Sequence, residues 1–293
     1  MRSSFPNKWL PYLLLAPSVF IVILFLIIPS IQSVYYSFYR LSLFGDKLLF
    51  VGWDNFQKLF SSSDYLNSIL RTIVFAAFVV FVGLFIGMSL AVMLNQKLKG
   101  MFLYRTLFIW TYALSPAVAG TIWALIFSPS SGPFNFFLEA LFGTSINWMT
   151  DSTIALLIVA VAATWKMMGY NIIFFLAGLQ AIPNEMLEAA SIDGAGAIRK
   201  FFRVTLPLLS PTTFFLLIMN MMYAFFEVFG LIDIMTKGGP GDATQVLVYK
   251  LYKDGFVNFN TGLASAQSVT LFLFVAVLTI LQFRFTERKV FYS

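Results

Sequence analysis

Six side chains able to bind a polar solute stand inside runs that otherwise belong in hydrocarbon. Lys166, Tyr170 and Asn171 interrupt one run. Asn220, Tyr223 and Glu227 interrupt another at i, i+3 and i+7, which places them on one face of a straight helix. An ionisable group at membrane depth is costly, so each asks for a function. Together they offer an ammonium, a carboxylate, amides and phenols, the donors, acceptors and rings that a hydroxylated solute needs. Running the two helices antiparallel sets Lys166 and Asn220 at similar depth, with Glu227 nearer one end. The same charges could instead pair with each other or with backbone and simply hold the bundle together, and residue types alone leave both readings open. Arg71 and Asp233 lie nearer a span end, where snorkelling removes most of the cost, and read as structural.

Other chemistry is largely excluded. The chain has no cysteine and no histidine, which removes disulfides, thiolate metal sites and imidazole bases. A membrane-embedded hydrolase or transferase would have to work with carboxylates, Lys, Ser or Tyr alone. No G-x-x-x-x-G-K-[ST] phosphate loop occurs, so this chain has no usual means of binding ATP. The 35 phenylalanines read as lipid-facing and packing residues.

The elements that must carry these residues follow from composition. Of 293 residues, 59% are hydrophobic and 11% charged, against roughly 25% charged in soluble domains. A span needs about 20 mostly apolar residues. Six stretches qualify: Leu10 to Phe38, Ile69 to Leu94, Thr106 to Phe127, Ser152 to Leu179, Leu208 to Met235 and Leu263 to Phe283. The first is too long for a signal peptide and is followed by no small-residue cleavage motif, so it reads as a retained span. Pro17, Pro29 and Pro116 fall inside or near span ends, where neighbouring helices can satisfy the carbonyls they free. Gly83 and Gly87 form a GxxxG pair, a signal for close helix packing. No internal repeat is evident, which argues mildly against a secondary transporter.

Basic residues orient the bundle. Arg2, Lys8, Lys97, Lys99, Arg105, Arg199, Lys200, Arg203, Arg284, Arg288 and Lys289 share one side; Arg40, Lys47, Lys58, Lys237, Lys250 and Lys253 occupy the other. The positive-inside rule then puts both termini in the cytoplasm. Acidic residues such as Asp46, Asp54, Asp64 and Asp242 on the outer side add to the asymmetry. The net charge of +6 reflects this topology and forms no patch for nucleic acid.

The connection between spans four and five, Ile182 to Pro211, is too polar to span and too regular for a slack loop. Pro183 suits a first helical turn, with Asn184 and Glu185 at the positive helix end. Met186 to Ile192 reads as a short helix, Asp193-Gly194-Ala195-Gly196 breaks it, and Ala197 to Val204 forms a second. Pro207 and Pro211 mark where the fifth span begins. The spacing predicts a helix–turn–helix at the cytoplasmic surface.

Glu188-Ala189-Ala190, then Asp193-Gly194-Ala195, then Leu206-Pro207 resembles the EAA loop of ABC importer permeases, with Val204 where isoleucine is usual. Trp9-Leu10-Pro11-Tyr12 with Ala16-Pro17, the segment Phe50 to Phe56, and Gly238-Gly239-Pro240 with Thr244 are similar to the sugar and glycerol-phosphate permeases. Tyr223-Ala224-Phe225-Phe226 and Ala266-Gln267-Ser268 most resemble the UgpA-like, glycerol-3-phosphate branch.

The resemblance implies an all-α membrane protein with six transmembrane helices in the type I ABC importer permease fold, carrying cytoplasmic EAA coupling helices. It implies an N-terminal tail and first helix over 1–40, a periplasmic loop over 41–67, a five-helix core over 68–285 containing the coupling loop 182–207, and a cytoplasmic tail over 286–293. The chain would be no enzyme and would bind no cofactor, ATP and Mg residing on partner ATPase subunits. Its partners would be a second homologous permease, two ATP-binding cassette subunits, a periplasmic or lipid-anchored solute-binding protein and membrane lipid, in the bacterial inner membrane. Its solute would be a sugar, polyol or glycerol-phosphate compound. An ion-gradient-driven carrier or channel without an ATPase is the alternative, and it leaves the Glu188 segment unexplained. Gly238, Gly239 and Pro240 read as a tight turn that the resemblance places at the outer entrance.

Overall fold

The computed structural model describes residues 9–41, 47–96 and 98–286. Arg2, Lys8, Asp46, Lys97, Arg288 and Lys289, which enter the charge comparison, lie outside the described residues. Among the described residues, four helices are long and apolar enough to cross a bilayer singly: Leu10–Ser37, Ser63–Leu94, Ser152–Ala181 and Thr261–Arg284. Two further crossings are bent pairs. Met101–Ala113 and Pro116–Ile126 turn through 106°, and Ala197–Leu208 and Ser210–Glu227 through 65°. Counting each pair once gives the expected six.

The third span is therefore not the single rod that apolar run length suggests, and the fifth is entered through a bend from the connection before it. Pro116 breaks the third. A proline has no amide to answer the carbonyl four residues back, here that of Tyr112, so one helix ends at Ala113 and the next begins with Pro116 in its first turn. The Ser115 hydroxyl accepts the Val118 amide at 3.2 Å and caps the new helix, an interaction typically worth about 1 kcal/mol. Leu209 separates the helix Ala197–Leu208 of the preceding connection from the fifth span, and Pro211 stands in the first turn of the helix that crosses.

The described residues fall into two compact units. The smaller combines Met1–Ser63 with Leu251–Phe272. Its first span is apolar all round and buries none of the residues in its most apolar window, a surface suited to hydrocarbon. After it come a two-stranded antiparallel hairpin, Tyr39–Leu41 against Leu48–Phe50 with Tyr39 opposite Phe50, and an amphipathic helix, Asp54–Ser61. Asn55, buried on that helix, donates to the carbonyls of Ser37 at 2.8 Å and Tyr39 at 2.9 Å, tying it to the end of the span. A Cβ at Gly262 would lie 2.0 Å from the Tyr39 carbonyl oxygen, so only glycine fits. Gln267 donates to the buried Asp254 carboxylate at 2.6 Å, and Asn258 donates to it at 3.0 Å.

The larger unit combines Asp64–Lys250 with Leu273–Ser293. The helix Ser63–Leu94 ends where the Arg105 guanidinium donates twice to the Leu94 carbonyl, at 3.0 and 2.8 Å, a cation on orphan acceptors at the negative helix end. Between spans three and four a further helix, Pro133–Phe142, is held by Asn135, which exchanges hydrogen bonds with the backbone of Ile146. Phe75, Val79, Phe175, Leu216 and Leu231 are all but fully buried in this unit. With lipid outside, such packing works through van der Waals contact and close backbone approach.

Candidate functional site

The segment joining spans four and five forms the two helices expected of it. Pro183 has ψ 133°, so it stands just before the first helix, Asn184–Ile192, and not within its first turn. The break after Ile192 has a defined chemistry. Gly194 takes φ +75°, its amide donates to the Ser191 carbonyl at 3.1 Å, and the Ala195 amide reaches the Ala190 carbonyl at 2.9 Å. This is a Schellman stop, in which a left-handed glycine lets the chain fold back on the last carbonyls. Nothing lies within 4 Å of a Cβ at Gly194; backbone conformation, and not space, selects the glycine.

The second helix runs Ala197–Leu208 and contains a wider i→i+5 turn over Phe201–Thr205. The Lys200 ammonium donates to the Ser191 hydroxyl at 3.1 Å and links the two helices. Glu188, Ala189, Asp193 and Gly194 are exposed, and Ala190, Ala195, Leu206 and Pro207 are half-buried. Met186, Ile192, Ile198 and Phe202 are exposed too, Ile192 to 87%. Glu185 and Glu188 on the first helix, Asp193 at its end, and Arg199 and Arg203 on the second are exposed, so the segment presents apolar side chains among charges of both signs. A cleft of about 270 Å³, lined by Asn95, Leu179, Leu187, Lys200 and Phe201 among others, separates the helix pair from the ends of spans two and four.

At membrane depth the polar residues divide into two groups. Asn171 and Asn220 are both 0% exposed. Asn171 donates to Asn220 at 3.1 Å and Asn220 returns a bond at 2.6 Å. Asn220 also donates to the Leu216 carbonyl at 2.8 Å. The GxxxG pair of span two lies against them: a Cβ at Gly87 would sit 2.6 Å from the Asn171 Cβ, and one at Gly83 3.3 Å from its amide nitrogen. Spans two, four and five thus meet at one amide pair.

The second group surrounds Lys166. Its ammonium, on a residue only 6% exposed, donates to the Tyr112 carbonyl at 3.1 Å and lies 5.1 Å from the Tyr112 ring centre. The Tyr112 and Tyr170 rings are 5.1 Å apart, and the series continues through Phe174 to Phe215. Tyr112 and Phe215 are exposed, Tyr170 and Phe174 half-buried, and Glu227 is exposed. Tyr223 is 3% exposed, and its hydroxyl has no hydrogen-bond partner among the described residues.

Asn220, Tyr223 and Glu227 do not share a face as i, i+3, i+7 spacing suggests. An i→i+5 turn over Tyr223–Glu227 adds a residue to the helical phase, turning Glu227 outward while Asn220 and Tyr223 stay inside. Sequence spacing carries no mark of that bulge. Tyr112 joins this group though its residue type gives no sign of it; the sign is Pro116, four residues on.

Gly238, Gly239 and Pro240 form a cross-braced turn. Lys237, Gly238, Gly241 and Asp242 have positive φ. The buried Thr244 donates to the Gly239 carbonyl at 2.8 Å and shares a 2.7 Å hydrogen bond with the Thr236 hydroxyl.

Residues 83–290 match the family described as binding-protein-dependent transport system inner membrane component. The chain belongs to that family. Full-length relatives agree. The permease is 47% identical over 294 residues to the sn-glycerol-3-phosphate transport system permease protein UgpA of Brucella abortus, covering 100% of this chain and 99% of the relative. It is 46% identical to the UgpA proteins of Rhizobium meliloti and Yersinia pestis, with the same coverage. Among solved structures, a bacterial ABC transporter that imports the acidic polysaccharide alginate superposes with a TM-score of 0.84 over 96% of each chain, at 22% identity; that likeness bears on fold alone. The permease therefore has the type I importer fold. It is a transport subunit and not an enzyme, it sits in the inner membrane, and its family works with a solute-binding protein.

Proposed function

We propose that this permease imports glycerol-3-phosphate or a closely related glycerol-phosphate compound. It would pair with a second, homologous permease subunit, with two ATP-binding subunits carrying ATP and Mg, and with a soluble or lipid-anchored binding protein that delivers solute from outside. The observation that carries this reading is 46–47% identity, end to end, to relatives named as sn-glycerol-3-phosphate permeases. The five-helix core of residues 68–285 forms half of the path, and both termini face the cytoplasm.

The segment 182–207 is the mechanical input. Glu188, Ala189 and Ala190 present the first helix to the ATPase, Asp193, Gly194 and Ala195 set its angle to the second, and Leu206 and Pro207 pass displacement to the fifth span. Its exposed apolar side chains, set among carboxylates on the first helix and arginines on the second, suit a partner's cleft. The path wall is the face carrying Tyr170 and Glu227 with Lys166 at its edge, because an exposed carboxylate at membrane depth does not belong against lipid. Asn171 and Asn220 spend their amides on each other, and Tyr223 is buried beside them; these three support the wall from behind. Gly238, Gly239 and Pro240 shape its outer rim.

The test is reconstitution of the permease pair with ATPase and binding protein in proteoliposomes. Uptake of glycerol-3-phosphate should require both partners and ATP. Uptake without the ATPase would favour a gradient-driven carrier and overturn the reading.

A further inference from the structure

The buried Lys166 has a structural partner that span counting does not reveal. In an unbroken helix the Tyr112 carbonyl would accept the amide of residue 116, and residue 116 is proline. Within a membrane a carbonyl freed in this way needs a donor from a neighbouring helix or from cavity water. Lys166, on span four, supplies it at 3.1 Å. The ammonium also meets the negative end of the helix Met101–Ala113, where a cation is favoured.

One turn along span four, Gly169 lets the same helix end approach closely. A Cβ there would lie 2.6 Å from the Ile109 carbonyl oxygen and 3.0 Å from the Thr111 hydroxyl. Beyond the corner, the helix Pro116–Ile126 packs against the end of span five, where a Cβ at Gly120 would lie 3.2 Å from both the Ile234 Cβ and the Leu231 carbonyl oxygen. The two arms of the 106° corner are thus clamped to different spans, and Lys166 stands at its apex.

We propose that Lys166 is a positioning residue: its ammonium caps the carbonyl that Pro116 leaves without an amide, fixing the corner of the third span and the Tyr112 ring beside Tyr170. It acts on transport through the shape of the wall and not by holding solute charge. This rests on the corner's geometry alone and is independent of which solute is imported.

The chain contains no cysteine, so spin labels can be introduced without removing native thiols. Leu103→Cys and Leu125→Cys place them on the two arms, both at positions 65% exposed. A straight rod separates these residues by about 33 Å at 1.5 Å per residue, whereas a corner of 106° brings them to about 20 Å. In the assembled complex without solute, the labelled parent should show the short distance, Lys166→Arg should keep it, and Lys166→Met should lengthen and broaden it. With Lys166→Met the transport rate should fall about tenfold while KM stays within about twofold. An unchanged distance in Lys166→Met overturns the proposal, and a large rise in KM accompanying it assigns the ammonium to the solute instead. Should Lys166→Met fail to assemble, adding Pro116→Ala returns an amide to the Tyr112 carbonyl. Assembly should recover with the distance near that of a straight rod; failure to recover also overturns the proposal.

Discussion

Asn171 and Asn220 exchange amide hydrogen bonds of 3.1 and 2.6 Å in a site with no exposure, directly against Gly83 and Gly87. Each amide answers the polar demand of the other, and the two glycines supply the room. The pair is a joint between spans two, four and five, and removing one member leaves the other stranded in an apolar interior.

Asn220→Leu or Asn171→Leu alone should lower the thermal stability of the detergent-solubilised complex, by roughly 0.6–1.7 kcal/mol on the scale of interhelical hydrogen bonds in membranes. The double leucine variant should recover part of that loss, since neither partner is then unpaired. Gly87→Ala should cost about 1–3 kcal/mol by overpacking against Asn171. Independent, additive losses in the two asparagine variants would show that the pair is not the joint described.

Gly194→Ala forces a side chain into a left-handed backbone at φ +75°, a cost of roughly 1–2 kcal/mol. Because a Cβ there meets nothing, the damage should be confined to the angle between the two helices. Membrane insertion should be normal, while ATP hydrolysis stimulated by loaded binding protein falls. Gly194→Asn, which tolerates the same conformation, should retain more activity. Equal activity in all three proteins would remove the Schellman stop from the coupling mechanism, and Glu188→Lys checks the same interface from its charged side.

The six crossings were legible because an apolar run of about 20 residues has few other uses. The glycine break at Gly194 was legible too, because its chemistry is local. What stayed hidden depends on residues far apart or on backbone phase. Pro116 announced a freed carbonyl, but its donor is Lys166, fifty positions on, so neither the corner nor its cap could be read. The extra residue over Tyr223–Glu227 shifted Glu227 off the face predicted for it without any Gly or Pro to betray it. The hairpin at Tyr39–Leu41 and the helix Asp54–Ser61 were not legible, because three and eight residues fall short of the window of roughly 11–18 over which periodicity is counted. Among the polar residues, types alone could not separate a satisfied amide pair from a wall of the path.

The loop after span one should respond to acid in a defined direction. Lys58, 3.3 Å from Asp54, and the adjoining Arg40 hold the Asp54 carboxyl below the usual aspartate value. A group whose pKa is lowered by folding contributes order above its unfolded value and loses that contribution as pH falls through the depressed one. The loop should therefore be equally protected from hydrogen exchange across neutral and mildly acidic pH, loosening only below the ordinary aspartate range. Asp54→Asn should show the looser behaviour at every pH. Loosening that begins near neutrality would contradict the assignment.

The central claim is that motion of the segment 182–207 couples this permease to ATP hydrolysis, and solute uptake into proteoliposomes tests it most directly. With the second permease, ATPase and binding protein present, the wild-type chain should accumulate glycerol-3-phosphate only when ATP is supplied, and Gly194→Ala should show weak stimulated ATP hydrolysis and little uptake. Accumulation that continues without the ATPase, or that is unchanged by Gly194→Ala, would contradict it.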